Sequence, residues 1–223
     1  IPELLVILFV LPYESPSMFG GGGGGKSGTE CNSDELVIYL RPTQHFIEEM
    51  NSTDNQERHQ HKNAAVSPLN VENDYNTIRP ATRLFKRWCI LSTQDAAFRS
   101  RFKCMAKVRD FETRHSNLSY LKQYNGRPVI ITESGRVMKG TTCGGVRFLE
   151  MRCNLHIWSF FARKGLSTIL PHFANMRLDL GFTIEATKDD EMPECTMGSL
   201  CMNFINEKLF PVIPYRVQQP LAT

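Results

Sequence analysis

The stretch from Arg147 to Ile184 constrains the fold more than any other part of this chain, because its periodicity changes twice. Phe148 to Leu155 is an apolar run broken by charges. Leu178 to Ile184 alternates apolar and polar residues, which predicts a half-buried strand. Between them lies an apolar stripe near the helical period. The stripe consists of Trp158, Phe161, Ala162, Leu166, Ile169 and Leu170. The sequence therefore predicts a core of strand, packed helix and strand. This pattern does not indicate any particular chemical function.

Other segments carry weaker patterns. Strands are predicted over residues 4–11, 36–40 and 197–205, and helices over 42–50, 78–91 and 118–124. Ser92 or Thr93 is expected to cap a further helix, in which Phe98, Phe102 and Met105 have the spacing of a core stripe. Residues 128–132 and 136–139 are predicted to form a hairpin around Glu133-Ser134-Gly135.

Helices and strands are interspersed without a regular β–α–β alternation. This favours an α+β fold, mainly antiparallel sheet with packed helices in a single domain, over a doubly wound one. We place the domain at residues 1–210 and a proline-containing tail at 211–223. A glycine-rich loop at 20–32 and a polar insertion at 51–76 are expected to be disordered, since they have few large apolar residues to bury.

The composition favours an intracellular protein. Of the 223 residues 41% are hydrophobic, which is enough for a core. The seven cysteines are an odd number with no CxxC pair, so we expect reduced thiols. The opening apolar run, residues 1–11, is too short to span a bilayer and lacks the features of a signal peptide. Because the chain starts inside this run without Met, we expect a fragment of a longer cytoplasmic protein, with peripheral membrane attachment as a further expectation.

No motif predicts an enzyme, a cofactor or a metal site. Gly20 to Ser27 matches the phosphate-loop pattern GxxxxGK[ST], but six consecutive glycines match it by composition, and no helix is predicted after it. Nucleotide binding is therefore a remote alternative. His59 and His61 lie in the polar insertion, and the cysteines lack zinc-ligand spacing. The acidic run at 188–194 is interpreted as a solvated loop.

The most informative charged feature is a basic block at residues 79–114, which has ten basic residues against three acidic ones. A cationic face beside apolar residues suits anionic lipid headgroups, although it could equally be a solvated face over a core. We predict no nucleic-acid partner, because the net charge is only +3 and no RNA- or DNA-binding motif is present. The candidate anion contacts are Arg83, Lys86, Arg87, Arg99, Arg101 and Lys103.

Four blocks of the chain resemble a known family. They are IPELLVILFVLP, DAAFRSRFKCMAKV, GRPVIITESGRVMKG, and FLEMRCNLHIWSFFARKGL with MRLDLGFTIEATKDDEMPECTMGSL. Their order and character resemble the C-terminal domain of the plant enhanced disease resistance 2 proteins, a domain of unknown function with related blocks in fungal cortical proteins. Where the family's strand usually reads Leu-Glu-x-Asp-x-Asp, this chain has Arg152 and Asn154.

The resemblance implies a non-enzymatic C-terminal module of a larger protein with a role in lipid- or membrane-associated signalling. In plants the parent proteins also carry a phosphoinositide-binding pleckstrin domain and a lipid-binding START domain. The expected partner is an anionic membrane lipid or a lipid-signalling protein. The alternative is a protein-interaction scaffold domain without lipid contact.

Overall fold

The computed structural model describes residues 2–12, 33–49, 78–109, 111, 121–206 and 209. Two four-stranded sheets and several helices confirm the α+β class. The strands are β1 (Leu4–Pro12), β2 (Ser33–Leu40), β3 (Phe102–Val108), β4 (Pro128–Ile130), β5 (Gly135–Thr141), β6 (Arg147–Asn154), β7 (Arg177–Ile184) and β8 (Gly198–Asn203). The helices are α1 (Pro80–Leu91), α2 (Ala96–Arg99) and α3 (Phe160–Ile169), with a short helical segment at 44–49. Turns of 3₁₀ helix cover Leu155–Ile157, Leu170–Asn175 and Asp189–Glu191.

The first sheet has the strand order β2–β1–β6–β5 and is antiparallel except between β1 and β6, which run parallel. β1 lies inside this sheet, and every residue from Leu5 to Val10 is buried. An uninterrupted apolar run is typical of a strand that is buried on both faces. The interior position of β1 in the sheet therefore agrees with its sequence pattern.

The second sheet has the order β4–β3–β7–β8 and is antiparallel throughout. The alternation predicted for β7 is confirmed, with Leu178, Leu180, Phe182 and Ile184 in the core. α1 joins that core through a row of stacked rings, which we call the aromatic row. It consists of Phe85, Trp88, Phe102 and Phe182, with successive centroids 6.2, 5.4 and 5.8 Å apart. Both sheets and α1 therefore share one core.

The predicted helix through Phe102 and Met105 is wrong, because these residues belong to β3. The helix before them, α2, has only four residues. Its N-cap is Asp95 rather than Ser92 or Thr93, and the Asp95 carboxylate accepts a hydrogen bond of 2.7 Å from the first-turn backbone. Apolar residues three or four positions apart fit a helix locally, but hydrogen-bonded pairing with β7 makes this segment a strand.

The predicted hairpin around Glu133-Ser134-Gly135 is also wrong. β4 pairs with β3 in the second sheet, whereas β5 pairs with β6 in the first. Ile131 is buried where the chain passes from one sheet to the other. The turn residues suit a hairpin, but distant strands supply the pairing partners.

The strand, helix and strand predicted for the central stretch are present as β6, α3 and β7, but the two strands lie in different sheets. α3 contains no buried residue. Leu166 and Ile169 pack partly against the core. Phe161 lies about 140° around the helix from Leu166, at about 100° per residue, and the prediction that it belongs to the core is wrong.

Several predicted features lie outside the described residues. These are the loop at 20–32 with its GxxxxGK[ST] match, the insertion at 51–76 with His59 and His61, and the tail at 211–223.

We predict a packing constraint where β5 meets β6. Gly140 lies opposite Phe148, and a Cβ added to Gly140 would lie 2.4 Å from Cζ of that ring. Gly140→Val should therefore displace the ring and lower the free energy of unfolding by about 1–3 kcal/mol, measured by urea denaturation. Gly144→Ala is the control, because its added Cβ would meet no atom closer than 3.9 Å. Equal stabilities of the two variants would contradict the constraint.

Candidate functional site

The six cations predicted to contact an anion lie on α1, on α2, and on or just before β3, and five of them bind a carboxylate or a backbone oxygen near the junction of these elements with residues 185–194. Glu191 binds Arg87 and Arg101, and Lys103 binds Glu194. The other two bind backbone oxygens: Arg83 Nη2 donates to Asp190 O at 3.2 Å, and Arg99 Nη1 to Ser92 O at 3.2 Å. The sixth, Lys86, is half-buried on α1 and also has an interaction partner.

Glu191 is the centre of this junction, with only 3% of its surface exposed. Its carboxylate accepts hydrogen bonds from Arg101 Nη2, from Arg87 Nη1 at 3.0 Å and from the Thr187 amide at 2.9 Å. The Phe98 ring lies 5.3 Å from the Arg87 guanidinium and 5.0 Å from that of Arg101. We call these five residues the Glu191 network.

The Glu191 carboxylate is ionised at neutral pH. Burial raises its pKa, but the hydrogen bonds from Arg101 and Thr187 and the charges of Arg101 and Arg87 outweigh burial and lower the pKa from 4.5 to about 2. Interpreting the acidic run at 188–194 as a solvated loop is therefore wrong for Glu191, although Asp189 and Asp190 are exposed. No sequence pattern distinguishes Glu191 from the neighbouring acids of the run.

Lys103 is paired in a similar way on the outer face of β3. Its Nζ lies 2.9 Å from Glu194 Oε1 and 3.4 Å from Glu185 Oε1. Burial lowers the pKa of Lys103, but the two carboxylates raise it by more. The pKa of Lys103 therefore lies above its usual value. Thus Arg87, Arg101 and Lys103 each have an internal carboxylate partner, and anion contact by the six cations stays a prediction.

A second surface combines exposed apolar side chains with positive charge. Ile157 is 52% exposed and Phe161 is 83% exposed. The Phe160 and Phe161 rings form an edge-on pair 5.7 Å apart, and Arg163 and Lys164 follow in α3. We call these five residues the α3 tip.

Local hydrogen bonds fix the base of the α3 tip. Asn154 Oδ1 accepts from the His156 amide at 2.9 Å, and Ser159 Oγ caps α3 by accepting from the Ala162 amide at 3.3 Å. Trp158 Nε1 donates to Ser134 Oγ at 3.1 Å. These bonds hold the turn in place while Ile157 and Phe161 remain exposed.

A sequence signal for this surface exists. The 28 residues from Met151 to Leu178 contain four Lys or Arg, two His and no Asp or Glu. This stretch surrounds the exposed Phe161 and has a net positive charge, because it contains no acidic residue. The basic block at 79–114 has more cations, so a count of cations alone does not single out this stretch.

The two positions that depart from the family's usual Asp have local partners. Arg152 Nη2, on β6, lies 3.5 Å from Glu35 Oε1 on β2, across the intervening strand β1. Asn154 caps the 3₁₀ turn that precedes α3. Asp at 154 could accept the same capping bond, whereas Asp at 152 would face Glu35 with a like charge.

The described residues offer no assembled site for covalent or metal chemistry. Ser134 is buried and contacts Trp158 Nε1 and Cys153 Sγ, not an imidazole or carboxylate. Burial raises the pKa of Cys89 to about 12 and that of Cys153 to about 11, which keeps both thiols protonated. Cys143 and Cys201 are exposed. Within the described ranges, no three His, Cys, Asp or Glu side chains cluster as metal ligands.

Comparison with known proteins gives one family. Residues 1–206 match the family model described as Protein ENHANCED DISEASE RESISTANCE 2, C-terminal. Neither the curated proteins nor the solved structures contain a match to this chain. In the part of the chain that the structure describes, no helix has the length and apolar character needed to cross a bilayer.

Proposed function

The chain belongs to the Protein ENHANCED DISEASE RESISTANCE 2, C-terminal family, and from this membership and the α3 tip we propose that it is a non-catalytic module that contacts an anionic membrane surface. The observation that carries the proposal is Phe161, 83% exposed at the start of a helix with no buried residue. In this proposal the module works at the cytoplasmic face of a membrane. Pleckstrin-type and START-type domains of a parent protein would bind beside it.

The α3 tip suits shallow insertion. Ile157 and Phe161 can enter the headgroup region while the exposed Lys164, about 60° around the helix from Phe161, stays at the level of the lipid phosphates. Full burial of a Phe or Ile side chain is worth about 1.5–3 kcal/mol, and each cation near an anionic surface adds about 1 kcal/mol. Partial insertion therefore supports weak, reversible binding, which a second membrane-binding domain in the same protein would strengthen by raising the effective concentration.

A protein-interaction scaffold is the second candidate, and one observation favours it. Tyr39, Val6, Glu150 and Met138 lie side by side across the first sheet, and both outer members of the row are exposed. An exposed Tyr and Met on the outer face of a sheet are typical of protein contacts.

Vesicle co-sedimentation tests the proposal with matched variants. We expect the chain to bind phosphatidylcholine vesicles containing about one-third phosphatidylserine, and to bind them less well at high salt. Ile157→Ser with Phe161→Ser should weaken binding at least tenfold, since 1.4 kcal/mol corresponds to a factor of ten. Tyr39→Ser with Met138→Ser removes two exposed apolar side chains elsewhere and should leave binding unchanged.

The opposite results have distinct meanings. Absence of wild-type binding, or unchanged binding by the α3-tip variant, would refute membrane contact through this surface. If Arg83→Gln with Lys86→Gln abolished binding while the α3-tip variant bound normally, the membrane would contact α1 instead. A protein partner lost with Tyr39→Ser and Met138→Ser would support the scaffold function.

A further inference from the structure

A cavity of about 250 Å³ lies between the end of β2, the helical segment at 44–49, the first turn of α1 and the residues just before β8. The apolar part of its wall includes Leu5, Leu40, Phe46, Ala81, Phe85 and Met197, and the polar part includes Arg41, Arg79 and three threonines. None of these residues belongs to the α3 tip or the Glu191 network, so the cavity is a separate feature of the fold.

The lining of the cavity carries an excess of positive charge. Arg79 is paired with Glu49, with Nη2 and Oε2 2.5 Å apart. Burial raises the pKa of Glu49, but the hydrogen bonds from Arg79 and Thr82 outweigh it, so the pKa lies below its usual value and the pair is fully charged near neutrality. Arg41 also lines the cavity and is exposed, and it has no hydrogen bond or ion pair in the described ranges. The cation of Arg41 is therefore the uncompensated charge.

From the apolar part of the wall and the unpaired Arg41 we infer that the cavity binds a straight-chain carboxylate, with its chain inside and its carboxylate on the Arg41 guanidinium. A planar guanidinium donates two parallel hydrogen bonds to a carboxylate, which makes this pairing strong and directional. Apolar cavities with a few placed polar groups are the usual form of small-ligand sites.

The volume limits the chain length. A water-sized group occupies about 30 Å³, so 250 Å³ holds roughly eight methylene-sized groups. Affinity should rise about fourfold for each carbon added, at about 0.8 kcal/mol per methylene. The rise should stop near eight carbons, because further carbons lie outside the cavity.

Titration of the isotope-labelled chain with sodium octanoate, followed by amide chemical shifts, tests the inference. We expect saturable shifts at Thr43, Ala81 and Thr196, which line the cavity. Arg41→Gln should weaken octanoate binding at least fivefold while leaving the weaker binding of neutral 1-octanol unchanged. Arg127→Gln, at an exposed arginine outside the cavity lining, is the control and should bind octanoate as the wild type does.

Three results would overturn the inference. They are no saturable shift at millimolar octanoate, shifts confined to other residues, and equal octanoate affinity in Arg41→Gln and wild type. The variant Ile157→Ser with Phe161→Ser should retain octanoate binding. Loss of vesicle binding with retained octanoate binding therefore separates this site from the membrane contact.

Discussion

Glu191→Ala is expected to lower the free energy of unfolding by about 3–5 kcal/mol, because it leaves the buried Arg101 guanidinium without its carboxylate. Arg101 is 8% exposed, and among the described residues its carboxylate partner is Glu191. Urea denaturation followed by circular dichroism measures the loss. Asp190→Ala is the matched control in the same 3₁₀ turn, since the Asp190 side chain is exposed and should change stability by less than about 0.5 kcal/mol.

The same carboxylate should give stability a defined pH dependence. Its pKa is about 2 in the folded chain against 4.5 ordinarily. A lowered folded pKa contributes stability that is complete above the unfolded pKa and is lost as pH falls from about 4.5 to 2. At 1.36 kcal/mol per pKa unit this contribution is about 3 kcal/mol. Glu191→Gln should lack this part of the acid loss. A variant that lost stability in parallel with wild type between those pH values would contradict the assignment.

Trp88→Ala should lower the free energy of unfolding by about 3–5 kcal/mol, the usual range for removing a buried aromatic side chain. Trp88 is fully buried in the aromatic row, with Phe102 at 5.4 Å on one side and Phe85 at 6.2 Å on the other. The cavity left behind would separate α1 from the second sheet. Chemical denaturation monitored by circular dichroism is suitable, because the substitution removes one of the two tryptophans.

Ile90→Ala provides the control on the same helix. Ile90 is half-exposed, so its truncation should have a small effect. A loss below about 1 kcal/mol for Trp88→Ala would show that the aromatic row does not hold α1 to the sheets.

The sequence predicted the elements whose pattern is both long and local. β1 is an apolar run of nine residues, and α1 has a proline at its start and a clear apolar face. β7 alternates over eight residues. In each case a single segment carries the full signal, so no knowledge of its partner is needed. The family resemblance, based on four blocks, is confirmed by the match to residues 1–206.

The failures share a physical cause, which is that distant partners decided the outcome. The spacing of Phe102 and Met105 fits a helix, but these residues pair with β7 and form a strand. The sequences of β4 and β5 fit a hairpin, but β4 pairs with β3 and β5 pairs with β6. The basic block was visible in the sequence, but Glu191, 90 positions after Arg101 in the chain, was not visible as its partner. Charge counts along a sequence therefore locate cations without showing which of them remain free for a ligand.

The parallel pairing of β1 with β6 has a consequence for biosynthesis. Leu4 pairs with Phe148, so one edge of an entirely apolar strand has no neighbour until about 140 more residues have been made. At roughly 5–20 residues per second, translation leaves that edge open for about 7 to 30 seconds. During this interval β2 can cover only the opposite edge. The nascent chain therefore presents an apolar, uncharged strand edge, the kind of segment that aggregates with other chains or is held by a ribosome-associated chaperone.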